Sequence, residues 1–292
     1  MLHRLIYADW EDPPAAMAFE LSYQEALREM ADRLQTVRHG LDAALAAPAS
    51  APGEYWAACL DLYLLTPALV NVALNYKVCV EHGLPLHPTY YFEVSRQTRG
   101  AVVHPPERLE RAQTFFLEAI AVSLAIFRLD PSAPARLAAL ASDLPHEIGG
   151  FIYTSTQDKY TWRASAPEKI QALAGSISSS IHPIVMVGAA HGAITAALVL
   201  ATLLATPLYF IRFSLFKRND VEPVISPSDL LFLAQYRSGP ALLFDEDVAK
   251  GTTLTQFTDH LMPLFDTAYS ASVLRNAYAS FTPDFVGRVW YD

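Results

Sequence analysis

Three apolar runs in the second half of the chain constrain the fold most: PIVMVG from Pro183, PLYFIRFSLF from Pro207 and ALLFD from Ala241. Each has the length and the β-branched and aromatic content of a strand buried on both faces, and helix-patterned sequence separates them. Strands that alternate with helices build parallel sheets covered by helices on both sides. This pattern begins only near residue 150.

Before that point the patterning is helical throughout. From Met17 to Leu45 the residues Phe19, Tyr23, Leu27, Met30, Leu34, Val37, Leu41 and Leu45 recur every three or four positions, the stripe of an amphipathic helix. A second stretch, Tyr55 to His82, is apolar on all sides, which predicts burial, with a kink at Pro67 and a stop at Gly83. A third opens at Pro105 and Pro106 and closes at Asp130 and Pro131, and a shorter one is expected from Ala135 to Ala141. These patterns divide the chain into a helical domain, 1–150, and an α/β domain, 151–292.

With 292 residues, 52% of them hydrophobic and 17% charged, the chain can bury a sizeable core. A net charge of −9 argues against a broad surface for nucleic acid. Cys59 and Cys79 sit in apolar helical sequence without metal-ligand spacing, so they read as buried hydrophobes. The N-terminus reaches Asp9, Glu11 and Asp12 before any signal-like apolar run, and the apolar segment 193–205 is shorter than the roughly 20 residues of a membrane span. The expectation is a soluble cytoplasmic protein that binds neither nucleic acid nor membrane.

The chemistry concentrates in ALLFDEDVAKGTTL, residues 241–254. In open α/β sheets ligands sit beyond the carboxyl ends of the strands, where backbone N–H groups of the next turn and helix face an anion. Gly251 lets the backbone turn tightly, Thr252 and Thr253 add hydroxyl donors, and consecutive N–H groups form an anion nest. Asp245 and Glu246 at the strand end cannot hold phosphate and want hydroxyls or a metal instead.

An apolar strand, two acids, then a glycine and a threonine resemble the phosphoribosyl-diphosphate signature of type I phosphoribosyltransferases, carried here by Asp245, Glu246, Gly251 and Thr253. The tract departs from that pattern at Lys250, where a small residue is usual, and at Asp247, where an apolar one is usual. Two further elements follow the family in order: an apolar strand breaking at Gly188, Ala189, Ala190, His191 and Gly192, and a second strand carrying Arg212. The resemblance covers about residues 165–292. It implies an α/β fold with a type I phosphoribosyltransferase-like parallel sheet flanked by helices, preceded by an all-α N-terminal domain.

The resemblance also implies roles. Ala249 to Thr253 (Ala249, Lys250, Gly251, Thr252, Thr253) would hold a 5-phosphate, and Ala189, Ala190, His191 and Gly192 the diphosphate. Asp245 and Glu246 would hold ribose hydroxyls and magnesium, with Arg212 near the diphosphate. A mobile loop would carry Lys217 and Arg218, with Arg237 further along, and a C-terminal hood would offer Phe285, Val286 and Trp290 to a base.

The expected activity is transfer of ribose 5-phosphate from phosphoribosyl diphosphate to an unidentified nucleobase-like acceptor, with release of diphosphate. The alternative is a regulator or interaction module that keeps the pocket and has lost transfer. Purine enzymes of the family often place an aspartate where Ala249 stands, and Asp247 is two residues out of that register, so its side chain is expected to point elsewhere. His182 and His260 read as structural, and GSISSSIH at 175–182 lacks a nucleophile elbow. A homodimer through the helical half is compatible with the sequence and is not specified by it.

Overall fold

The computed structural model describes residues 1–87, 99–215 and 219–291. The short strand β1 (Phe19–Ser22) leads into helix α1 (Tyr23–Ala46). Ser22 sets the start: its Oγ accepts from the Glu25 backbone N–H, and the Glu25 carboxylate accepts from the Ser22 N–H at 2.9 Å. The stripe Tyr23, Leu27, Met30, Leu34 and Val37 is buried and reaches Ala44, whereas Leu45 is 63% exposed and lies off the buried face.

Helices α2 (Gly53–Leu65) and α3 (Pro67–Glu81) meet at Thr66, whose own backbone is helical and whose Oγ1 donates to the Leu62 carbonyl at 2.6 Å. Pro67 has no N–H to continue the ladder, which places the break where the sequence predicts a kink. Every residue from Pro67 to Val80 is buried. The span Gly53–Glu81 is long and apolar enough to cross a membrane by length and composition alone, but 78% of its most apolar window is buried inside the fold. Helix α4 (Pro106–Arg128) ends on Leu129 in the left-handed conformation, and α5 (Ala133–Ser142) follows.

Strand β2 (Ile152–Ser155) pairs antiparallel with β1, so residues just beyond 150 are stitched back onto the first helix. Helices α6 (Lys159–Ala164) and α7 (Pro167–Ser178) then lead into the main sheet, made of β3 (Val185–Ala190), β4 (Leu208–Arg212), β5 (Pro240–Val248), β6 (Thr267–Asn276) and β7 (Phe285–Trp290). Helices α8 (Ile194–Leu204), α9 (Pro227–Ala234) and α10 (Thr252–Leu261) connect the strands. All five strands are parallel, in the order β4-β3-β5-β6-β7. The alternating sequence pattern thus gives the α/β sheet it predicts, and the strand order reverses between β3 and β5.

The hydrophobic core is continuous across residue 150, and α3 and α4 of the helical half pack on α8 and β4. At this seam Lys77 is buried with only 1% of its side chain exposed. Its ammonium meets Asp229 Oδ1 at 2.7 Å, Ser226 Oγ at 2.9 Å and Glu81 Oε2 at 3.0 Å, and lies 5.9 Å from the centre of the Phe116 ring. Asp229 also caps α9 by accepting from the Ser226 N–H, and accepts from the Tyr209 hydroxyl at 2.6 Å. Lys77→Met would strand Asp229 and Glu81 in a dry seam, so urea denaturation should show a loss of ~3–5 kcal/mol.

His3 is buried near the N-terminus and neither ring nitrogen meets a hydrogen-bond partner. Burial, reinforced by the terminal amino group and Arg4, lowers its pKa from 6.5 to about 4. A depressed histidine contributes stability above its unfolded pKa and loses it as pH falls, because the unfolded chain takes up the proton first. His3→Leu is therefore expected to gain on the parent by about 1.4 kcal/mol per pH unit as pH falls from about 6.5 towards 4, measured from urea midpoints across that range.

Candidate functional site

The reversal of strand order between β3 and β5 opens a crevice at their carboxyl ends, the place where open α/β sheets bind ligands. A cavity of ≈ 380 Å³ occupies it, lined by Asp245, Glu246 and Asp247 from β5, residues 249–254 of the following turn, and Ala189 and Gly192 beside β3. Phe213, Ser214 and Leu215 close one side, and Asp158, Tyr160 and Thr161 at the start of α6 close another.

The turn after β5 is built on Gly251, which has φ +96°. A side chain there would be strained in that backbone conformation and would put its Cβ 2.7 Å from the Phe281 Cβ. Helix α10 starts immediately afterwards, so the first N–H groups of Thr252, Thr253 and Leu254 have no intrahelical acceptor and border the cavity. Lys250 is exposed at the rim, and its carbonyl accepts from the Ser280 N–H and hydroxyl. Gly251→Ala should cost about 1–3 kcal/mol in chemical denaturation, through backbone strain and the contact with Phe281.

Asp245 is almost fully buried, and burial together with the Glu246 carboxylate raises its pKa well above the usual carboxylate range. The Glu246 carboxyl lies against Gly192, where a Cβ would collide with it, and its buried Oε2 has no hydrogen-bond partner. Two adjacent carboxyls, one short of donors, fit a cation or a pair of hydroxyl groups.

Asp247 departs from expectation. Strand β5 runs on to Val248, so Asp245 and Asp247 alternate onto one face and Asp247 lines the cavity instead of turning away. Burial and Glu246 raise its pKa to about 7, and the Trp290 indole N–H donates to its Oδ1 at 3.3 Å. Ala249, in the position where purine enzymes of the family often carry an aspartate, lies beyond the strand and is exposed.

The first loop also differs in detail. Strand β3 continues through Gly188 to Ala190, and the bareness of Gly188 accommodates the Phe210 ring of β4, not a ligand. The turn itself is His191 to Ala193, preceded by a cis peptide bond between Ala190 and His191. Ala189 and Gly192 line the cavity, whereas Ala190 is fully buried and His191, expected beside the diphosphate, lines a neighbouring cavity instead.

Arg212 requires correction. It is 2% exposed, its guanidinium clasps Asp220 at 2.8 Å and 3.3 Å, and Asp220 also accepts from the Ser214 N–H. That charge braces the segment leaving β4 and does not line the cavity. Arg237 pairs with Asp266 on the surface. Lys217 and Arg218 lie outside the described residues.

Of the expected hood residues, Phe285 is buried against Tyr269 and Val286 stands in β7, and neither lines the cavity. Trp290 stands beside Asp247, with the ring of Tyr160 6.0 Å from its own. Asp158, Tyr160 and Thr161 are not legible as site residues in the sequence, because STQDKYTWR matches no motif and joins the site only through the long-range pairing of β1 with β2 and the α6 cap. Among the described residues, no group of three or more His, Cys, Asp or Glu could by itself hold a metal ion.

No protein-family model matches the sequence, and no curated protein matches it. Among solved structures, the chain is similar to a purine phosphoribosyltransferase from Pyrococcus horikoshii, with 23% identity over 44% of this chain and 86% of that one and a TM-score of 0.35. It is also similar to the xanthine-guanine-hypoxanthine phosphoribosyltransferase of Helicobacter pylori, with 19% identity, 42% of this chain, 80% of that one and a TM-score of 0.34. A hypoxanthine phosphoribosyltransferase from Staphylococcus aureus stands at 19% identity, 42% and 74% coverage and a TM-score of 0.34. These likenesses span less than half of the chain, and what the cavity binds has to be read from its own groups.

Proposed function

We propose that the chain transfers the 5-phosphoribosyl group of phosphoribosyl diphosphate to a nitrogen of a nucleobase-like acceptor. The observation that carries this reading is one cavity, at the reversal of strand order, that joins adjacent carboxyls, the open N-terminus of α10 and Gly192 of the turn after β3. A ligand with a phosphate at one end and vicinal hydroxyls at the other satisfies the first two features together. The third brings the Gly192 backbone and the Glu246 carboxyl together, so a diphosphate placed there would share a cation with that carboxyl.

In this reading the N–H groups of Thr252 to Leu254 and the hydroxyls of Thr252 and Thr253 hold the 5-phosphate. Asp245 and Glu246 accept from the ribose hydroxyls. They would also hold magnesium, which when bound supplies charge neutralisation for the departing diphosphate. The acceptor nitrogen bonds to the anomeric carbon as the carbon–oxygen bond to diphosphate breaks, and the acceptor's proton passes to Asp247. A carboxyl with a pKa of about 7 is poised to exchange that proton near neutrality.

A second reading keeps the ligand and drops the transfer. It is favoured by the scarcity of cations: among the described residues only Lys250 brings positive charge to the lining, because Arg212 is engaged by Asp220. Diphosphate release, measured with magnesium, phosphoribosyl diphosphate and a panel of bases, separates the two. Release with any base supports transfer, and tight binding without release across the panel supports a binding module.

Asp245→Asn combined with Glu246→Gln should weaken binding of phosphoribosyl diphosphate with magnesium roughly 10- to 100-fold by titration calorimetry, since hydrogen bonds to charged groups contribute about 1.5–3 kcal/mol. The melting temperature should not fall, because two crowded carboxyls are replaced by neutral amides. Unchanged affinity would remove the site assignment.

A further inference from the structure

A second cavity, of ≈ 370 Å³, lies at the seam between the helical half and the sheet. It shares Asp158, Thr161 and Gly192 with the first, so the two are neighbours across the turn that follows β3. Its far wall belongs to the helical half: Met17, Tyr63, Leu64, Pro67 and Asn71.

The lining has a definite chemistry. Among the described residues it contains no lysine or arginine, its imidazole is His191, and its acid is Asp158. Thr154, Ser155, Thr156 and Thr195 contribute hydroxyls, while Leu64, Ile194 and the Trp162 ring contribute apolar surface. Asn71 is 7% exposed and its Oδ1 accepts from the Asn75 amide at 3.0 Å, which leaves the amide donors of Asn71 for whatever occupies the space. A buried amide with donors to spare, facing hydroxyls over an aromatic and aliphatic floor, suits a flat polar ring compound. A phosphate or carboxylate would find no lysine or arginine in this lining, only the His191 imidazole, and would meet the Asp158 carboxylate.

We infer that this junction cavity seats the acceptor of the transfer, and that the acceptor is an uncharged planar ring compound bearing amide or amine groups, not a carboxylated or phosphorylated one. The word acceptor rests on the transfer reading, but the cavity and its ligand class stand on their own residues. The helical half thereby gains a function in binding, since without α2 and α3 the cavity has no far wall.

Thermal-shift and calorimetric titration of the full chain decides the matter, with hypoxanthine, uracil and nicotinamide as neutral rings and orotate and quinolinate as anionic ones. At least one neutral ring should bind, and both acids should bind at least tenfold more weakly. Asn71→Leu, which removes the donors at similar volume, and Leu64→Trp, which fills the space from its apolar wall, should each weaken the neutral ring at least tenfold. Both variants should bind phosphoribosyl diphosphate with magnesium as the parent does, since neither residue touches the first cavity. The inference is overturned if no neutral ring binds, if the acids bind as well as the neutral rings, or if neither variant weakens binding. Failure of the parent to bind phosphoribosyl diphosphate, with the neutral ring still lost in both variants, would sink the transfer reading and leave the junction site standing.

Discussion

The ammonium of Lys77 decides how the two halves of the molecule meet. A charge taken out of water into a packed seam costs several kcal/mol unless every donor is satisfied, and the partners that satisfy it come from different elements. Glu81 is one turn along the same helix, but Asp229 and Ser226 belong to the start of α9 in the α/β half. Asp229 is held in place as the cap of α9 and the acceptor for Tyr209 on β4, so a shift of α3 by one turn would carry the ammonium away from both Asp229 and Ser226. An apolar seam of the same area would tolerate sliding. This one has a single register.

That register positions the site. Asn71 precedes Lys77 by six residues on α3, about 9 Å along the helix axis, so fixing the ammonium fixes where the amide reaches the junction cavity. On the other side the pairing of β2 with β1 ties residues 152–155 to the strand that leads into the first helix and delivers Asp158 and Thr161 to the wall shared by both cavities. The helical half therefore forms one wall of the junction cavity, a place that a detached domain joined by a linker could not take.

Much of the architecture is legible in the sequence because periodicity reports burial. The stripe expected over 17–45 is α1 from Tyr23, with Phe19 instead in β1 and Leu45 exposed, while the apolar stretch 55–82 and the strand-length runs at 185, 208 and 241 each correspond to elements where expected. What periodicity cannot report is which polar group meets which. Arg212 looks available on a strand end, yet Asp220, eight residues later and patterned like any loop acid, neutralises it. Asp247 looks out of register only if the strand is taken to end at Asp245, and two more paired residues, Asp247 with Leu274 and Val248 with Arg275, are enough to turn it inward. Gly188 is bare to admit Phe210, a contact made across strands and invisible along the chain. Asp158 and Thr161 reach the site through tertiary placement alone.

The charge balance of the first cavity sets a condition on anything phosphorylated that enters it. Asp158, Asp245, Glu246 and Asp247 all border the space, and burial with mutual repulsion already raises the pKa of Asp245 and Asp247 so that part of this charge is carried as protonated carboxyl. Against them stand one exposed lysine and the partial positive charge at the start of α10, equivalent to roughly half an elementary charge. Backbone dipoles can orient a phosphate at that end, but they cannot balance a diphosphate brought up to the carboxyls at the other. A ligand of that charge is favoured only when a cation accompanies it and is shared between its oxygens and the Asp245–Glu246 pair. Affinity for such a ligand should therefore rise steeply with divalent cation and little with the charge of Lys250, which places the recognition in the strand end and the turn, not in side-chain cations.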